Sequence, residues 1–220
     1  MTAVVIYDNI GLSMAETRKT RPVSWIKAAL KDIEEFPEGA KSLLLAALTI
    51  AAEGGKADIA KPLHGFGPGV LEIALAYRGD AFRVVYAVQL ADEVWVIHAF
   101  QKKSETIEGG PQMKGEKLEL VRGSGNAFRD LGRENADIEQ LKALLAAEII
   151  KALDRDELTV RAAHAQTGFA AADFSRIRNA DLGRFTADRL MSILNRLGSR
   201  VEVKIRVRPL EPVRGSEARA

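Results

Sequence analysis

The chain has no cysteine among its 220 residues. Disulfides and thiolate metal sites are therefore excluded, and the absence suits a reducing cytoplasm, where the protein is expected to reside. No apolar run approaches the ~18 residues that a membrane-spanning helix requires. The opening MTAVVIYDNI holds a short apolar run with no basic stretch before it, so no signal peptide is expected. There is no His and carboxylate cluster with ligand spacing, no glycine-rich nucleotide loop and no Ser–His–Asp order. Neither a metal nor another cofactor is expected.

What is present is enough chain for two domains of roughly 100 residues each. Charge divides unevenly between them. Residues 1–112 carry 12 basic and 14 acidic side chains, and residues 113–220 carry 20 and 16. The second half is therefore the better candidate for a nucleic-acid surface, provided a motif supports it.

In the first half, RPVSWI (residues 21–26) reads as a strand, with Pro22 tolerated at its start. Residues 27–36 and 38–52 have apolar side chains at helical spacing. Pro37 separates the two runs, and Gly54 and Gly55 end the second. In the second run Ala40, Leu43, Leu44, Ala47 and Ile50 share one face. A loop with KPLHGFGPG follows, then strands over 70–76, 81–90 and 93–100, joined closely enough for hairpins. Alternation sets Phe82, Val84 and Tyr86 on one side of their strand and Arg83 on the other. On the next strand it groups Val94, Val96, His98, Phe100 and Lys102.

Three spaced motifs, KPL-x-GFG, YRGD-x-FR-x-VY and HAFQKKS, resemble the RelE-fold toxins of the HigB branch, also described as Gp49-like. The resemblance covers residues 21–104 and leaves 1–20 as an extension. It implies a ribonuclease that cleaves mRNA on the ribosome. That chemistry needs fixed cations for a phosphorane-like state and a carrier for the 2′-hydroxyl proton. Arg83, Lys102 and Lys103 are the candidate cations; Tyr86 and His98 are the candidate proton or stacking groups. Each also has a plain structural reading, as strand surface for Arg83 or as a core histidine for His98. The family's strand normally runs on into a basic linker and a C-terminal helix. Here Ser104 leads into ETIEGGPQ, so the first half is expected to be weak or inactive as an enzyme.

The second half opens at Met113 with MKGEKLELVR, which looks like the leader of a separate protein. Residues 105–126 are read as a linker. Residues 137–153 form an amphipathic helix with Ile138, Leu141, Leu144, Leu145, Ile149 and Leu153 in one stripe. Short helices follow over 159–166, 170–178 and 186–197, with Gly168 as the turn between the first two. VEVKIRVRP then alternates as a strand closed by Pro209, and residues 210–220 are read as a loose tail. The phrase TGFAAADFSRIRNADLGRFTADRLM resembles the Xre-type helix-turn-helix of HigA antitoxins, over residues 127–209.

That resemblance implies operator DNA as partner and a homodimer joined through the final strand. Its second helix offers Ala170, Ala171, Asp173, Ser175, Arg176 and Arg178 to the major groove; Arg161 and Arg184, outside that helix, are the candidate contacts to the DNA backbone. Phe169, Phe174 and Ile177 read as core spacers. The expected fold class is α+β: a RelE-like domain of helices and antiparallel sheet, then an all-α helix-turn-helix domain with a C-terminal strand. The expected function is a fused toxin–antitoxin regulator that represses its own promoter. The alternative is an mRNA endonuclease held in check by its own C-terminal half.

Overall fold

The computed structural model describes residues 3–8, 20–90, 92–102 and 119–204. Lys103, residues 105–118 of the expected linker and the 210–220 tail lie outside the described residues.

Strand β2 (Val23–Ile26) runs straight into helix α1 (Lys27–Glu34). Pro37 then separates α1 from α2 (Glu38–Ala52). Four strands follow: β3 (Ala60–Pro62), β4 (Val70–Tyr77), β5 (Asp80–Leu90) and β6 (Glu93–Lys102). The last three form the expected antiparallel meander. β3 is an addition to it, paired with β4 where the sequence reads as loop. β2 joins the far side of β6 in parallel, so the sheet is mixed, with order β3-β4-β5-β6-β2 and then β7 (Leu120–Val121).

The edge strand β7 (Leu120–Val121) comes from the stretch read as a linker. It pairs antiparallel with β2, and Lys27 N–H donates to Glu119 O at 2.9 Å beside it. These residues are therefore part of the sheet and not free linker. The N-terminal segment is also used: β1 (Ala3–Asp8) pairs with the final strand β8 (Ser199–Lys204).

α2 shows why the halves cannot be read separately. Its sequence suggests one apolar face, yet Ala40 and every residue from Leu44 to Ala52 are buried. A helix apolar nearly all round needs cover on both sides. The sheet covers one side and α4 (Ala136–Arg155) the other. The seam between α2 and α4 carries an ion pair between Arg133 and Glu38, an Arg133 donation to Ser42 Oγ at 2.7 Å, and a Thr49–Gln140 bond at 3.4 Å. These contacts advance together along both helices, so the two run side by side in the same direction. At the C-terminus of α2, Arg21 donates to Ala51 O and Ala52 O and also to Val88 O on β5. The guanidinium thereby satisfies terminal carbonyls and opposes the negative end of the helix dipole.

One apolar core runs from the sheet through α2 and α4 to the C-terminal helices. Ile138, expected in the buried stripe of α4, is exposed. A short helix not foreseen, α3 (Ala127–Asp130), precedes α4. Asn126 caps it, accepting from the N–H groups of Phe128 and Arg129. Helices α5 (Val160–Thr167), α6 (Ala171–Arg178) and α7 (Ala187–Arg196) complete the second half. No helix among the described residues is long and apolar enough to cross a membrane.

Candidate nucleic-acid surfaces

Two surfaces carry the residues singled out from the sequence. The first is the sheet face turned away from α1 and α2. On β5, Phe82, Val84 and Tyr86 point to the helices, and Arg83 and Val85 point outward. On β6 a bulge at Ile97 resets the alternation. Val85 pairs with His98, but Tyr86 pairs with Val96. Val94 and Val96 therefore face the core, while His98, Phe100 and Lys102 face outward. The sequence pattern had grouped all five, because period-two counting does not anticipate an extra residue.

Arg83, His98 and Lys102 thus share one face. Arg83 lies opposite Phe100, and Lys102 opposite Ala81. His98 stacks on Phe100, with ring centroids 5.1 Å apart. Arg83 Nε lies 3.4 Å from Glu72 Oε1 on β4, so its charge is partly answered within the sheet. The cross-strand register brings Glu72 there, and nothing in the linear sequence marks it. Asp32, on α1, reaches the edge of this surface. Burial raises its carboxyl pKa, and the nearby His98 opposes the rise.

Tyr86 is not part of this group. It is 1% exposed on the helix-facing side, and burial raises its phenol pKa further. A phenol held there neither faces the outer surface nor ionises readily. Lys103, the third candidate cation, lies outside the described residues.

The second surface is built on α5, α6 and α7. Thr159 caps α5 by accepting from Ala162 N–H, and Gly168 ends that helix at φ 80° in the left-handed region. Thr167 Oγ1 donates to Ala163 O and accepts from Phe169 N–H, which fixes the turn into α6. Ala170 occupies the N-cap of α6 and supplies no side-chain bond. Phe174 and Ile177 are fully buried and attach α6 to the core. Ala170, Ala172 and Ser175 are exposed, and Ala171 is half-buried.

The charged residues of α6 divide by their partners. Asp173 accepts from Arg189 of α7 at 2.7 Å and lies 4.0 Å from Arg176, so its carboxylate is occupied within the domain. Arg176 has only long contacts, to Asp173 and to Asp181 at 3.8 Å, and keeps about a third of its side chain exposed. Arg178 is directed elsewhere: it bonds Asp154 of α4 at 2.8 Å and lies 3.9 Å from Asp58 of the first half. Its side chain is 18% exposed, with its guanidinium turned to these two carboxylates. Arg161 and Arg184 are exposed and have no ion-pair partner among the described residues. Arg189 was not foreseen. It lies over the Phe169 ring at 5.5 Å while bound to Asp173, and both partners come from outside α7.

No group of His, Asp and Glu among the described residues could hold a metal ion. Residues 31–116 match the family described as phage-derived protein Gp49-like, and residues 127–206 match the family described as a helix-turn-helix domain. No curated protein and no solved structure matches the chain. The two matches stand in tandem over one shared core, a Gp49-like domain followed by a helix-turn-helix domain, an order consistent with a toxin fused to its antitoxin.

Proposed function

We propose that this fusion binds its own upstream DNA as a dimer and represses its own transcription, while the Gp49-like half stays silent as long as the halves are joined. The observation that carries this reading is the outer side of α6. Ser175 and Arg176 reach solvent there, and the exposed Arg161 and Arg184 have no ion-pair partner among the described residues. A helix of this kind fits the major groove, and the planar fork of Arg176 suits a guanine edge or a phosphate. Arg161 and Arg184 suit phosphates. Ala170 and Ala171 bring no hydrogen-bonding group, so base reading rests on Ser175 and Arg176. Among the described residues β8 pairs only with β1, which leaves its other edge for pairing with a second copy. A dimer presents two α6 helices about one DNA turn apart, as a palindromic operator requires.

The test is fluorescence anisotropy with the full chain and its upstream DNA across a salt series. Affinity should fall steeply with salt. Arg176→Ala should cost about 1–3 kcal/mol if its side chain reads a base. Absence of binding to any promoter-proximal fragment at low salt would sink this reading.

A second reading, ribosome-dependent mRNA cleavage, is favoured by the shared outward face of Arg83, His98 and Lys102. Fixed cations there suit a phosphate, and His98 is a proton carrier beside them. The joined state should nevertheless give little cleavage when the full chain is added to translating ribosomes and mRNA ends are mapped. Robust cleavage that falls about 10²–10³-fold in Arg83→Ala, the scale of losing a charge-stabilising donor, would put the endonuclease first.

A further inference from the structure

We infer that the Gp49-like half positions the recognition helix: Asp58, with Asp154, holds the C-terminal end of α6 through Arg178 and so sets its DNA-reading geometry. This rests on the DNA-binding reading above and assigns the first half a part in it.

α6 has little of its own to fix its direction. It is 8 residues long, and Ala170 gives it no N-terminal side-chain cap. A helix that short is marginal by itself, so its orientation comes from tertiary contacts. Phe174 and Ile177 anchor one face in the core. Toward the N-terminal end Asp173 is tied to Arg189. The C-terminal end is held by the first half. Asp58 N–H donates to Arg178 O at 2.7 Å, which satisfies a carbonyl that the end of a helix leaves without an intrahelical donor. The Asp58 carboxylate lies 3.9 Å from the Arg178 guanidinium, which also bonds Asp154 at 2.8 Å. Ala57 and Ile59 on either side of Asp58 pack into the common core, so this loop is itself fixed. One arginine thus links three elements: the α2–β3 loop of the first half, α4, and the helix that offers Ser175 and Arg176 to DNA.

The sign of the expected effect separates positioning from simple charge. Asp58 is an acidic group near a surface that binds a polyanion. Removing it should strengthen binding if electrostatics alone mattered. A positioning role predicts the opposite.

The experiment compares the full-length wild type with Asp58→Asn, Asp154→Asn and Arg178→Lys. It follows binding to upstream DNA by anisotropy over a salt series and fold by thermal melting. Each variant should bind about two- to fivefold more weakly, the range of a partly exposed ion pair, at nearly unchanged melting temperature. The slope of affinity against salt should also stay that of the wild type, because no phosphate contact is lost. Arg178→Lys keeps the charge and loses the fork, so its weakening would come from geometry alone. If the wild type binds DNA and Asp58→Asn binds equally or more tightly, the positioning role is overturned and DNA binding survives. A slope reduced by about one in a fourth variant, Arg178→Ala, which removes the charge, would likewise overturn it, since Arg178 would then be a phosphate contact. If the wild type binds no DNA, both inferences fall.

Discussion

Residues 1–112 expressed alone should fail to reach a native fold. In the whole chain, α2 is covered by the sheet on one side and by α4 on the other. Removing the second half uncovers the side of α2 turned to α4 and leaves Thr49 and Glu38 without Gln140 and Arg133. It also strips β7 from the open edge of β2. Each buried Leu or Ile side chain returned to water costs about 1.5–3 kcal/mol. A domain's whole stability is about 5–15 kcal/mol, so exposing a few such residues removes most of it. An unpaired edge beside an apolar helix face also invites association.

The expected result is a soluble aggregate or a dye-binding, poorly cooperative species by circular dichroism and size exclusion. A cooperative melt near that of the full chain would count against a shared core. The companion measurement uses the full chain with a protease site engineered after Gln112. After cleavage the two fragments should elute as one particle in native buffer and separate in denaturant. Elution as two particles in native buffer would show that the seam is weak.

Gly123→Ala should destabilise the chain by about 2–4 kcal/mol, combining overpacking with a lost, partly buried hydrogen bond. A Cβ at Gly123 would lie 2.0 Å from the Val23 carbonyl oxygen and 3.0 Å from Asp130 Oδ2. The first neighbour is backbone in the sheet and cannot swing aside. Relieving the clash means moving Gly123 away from β2. Its N–H donates to the fully buried Ser24 hydroxyl at 3.1 Å, so that group would lose its partner. The two bonds from Ser124 N–H to the Asp130 carboxylate, 3.0 and 3.2 Å long, would be strained as well. The joint between β7 and α3 should therefore loosen as a unit. Urea melts of Gly123→Ala beside Gly183→Ala test this, since a Cβ at Gly183 meets nothing within 4 Å. A Gly123→Ala midpoint no lower than that of Gly183→Ala would refute the steric role.

Much of the local structure was legible because it depends on neighbours in the chain. α2 was readable from its apolar spacing between Pro37 and Gly54. The β4–β6 meander followed from strand alternation and short turns. Gly168 announced the turn between α5 and α6, since few other residues adopt its positive φ without strain. The basic second half and the motif phrases pointed to the two joined domains. The missing cysteines excluded disulfides without any structure.

Only the tertiary structure decided where these pieces act. The bulge at Ile97 turned His98 to the face of Arg83, and one-dimensional periodicity cannot register a residue inserted on only one of two paired strands. The same alternation carried Tyr86 into the core, since the covered face of a sheet is chosen by the helices packed on it. Arg178 looked like any arginine on a recognition helix. Asp58, 120 residues away in sequence, claims it because the chain folds back through the α2–α4 seam. Gly123 and Gly125 look alike in the sequence, yet Gly125 has φ 94° while Gly123 matters for the space that Val23 leaves it. β1 and β7 were too short, or too plain, to be recognised alone. Each becomes a strand only because a partner edge lies open beside it, and hydrogen bonding across a sheet is a property of the pair.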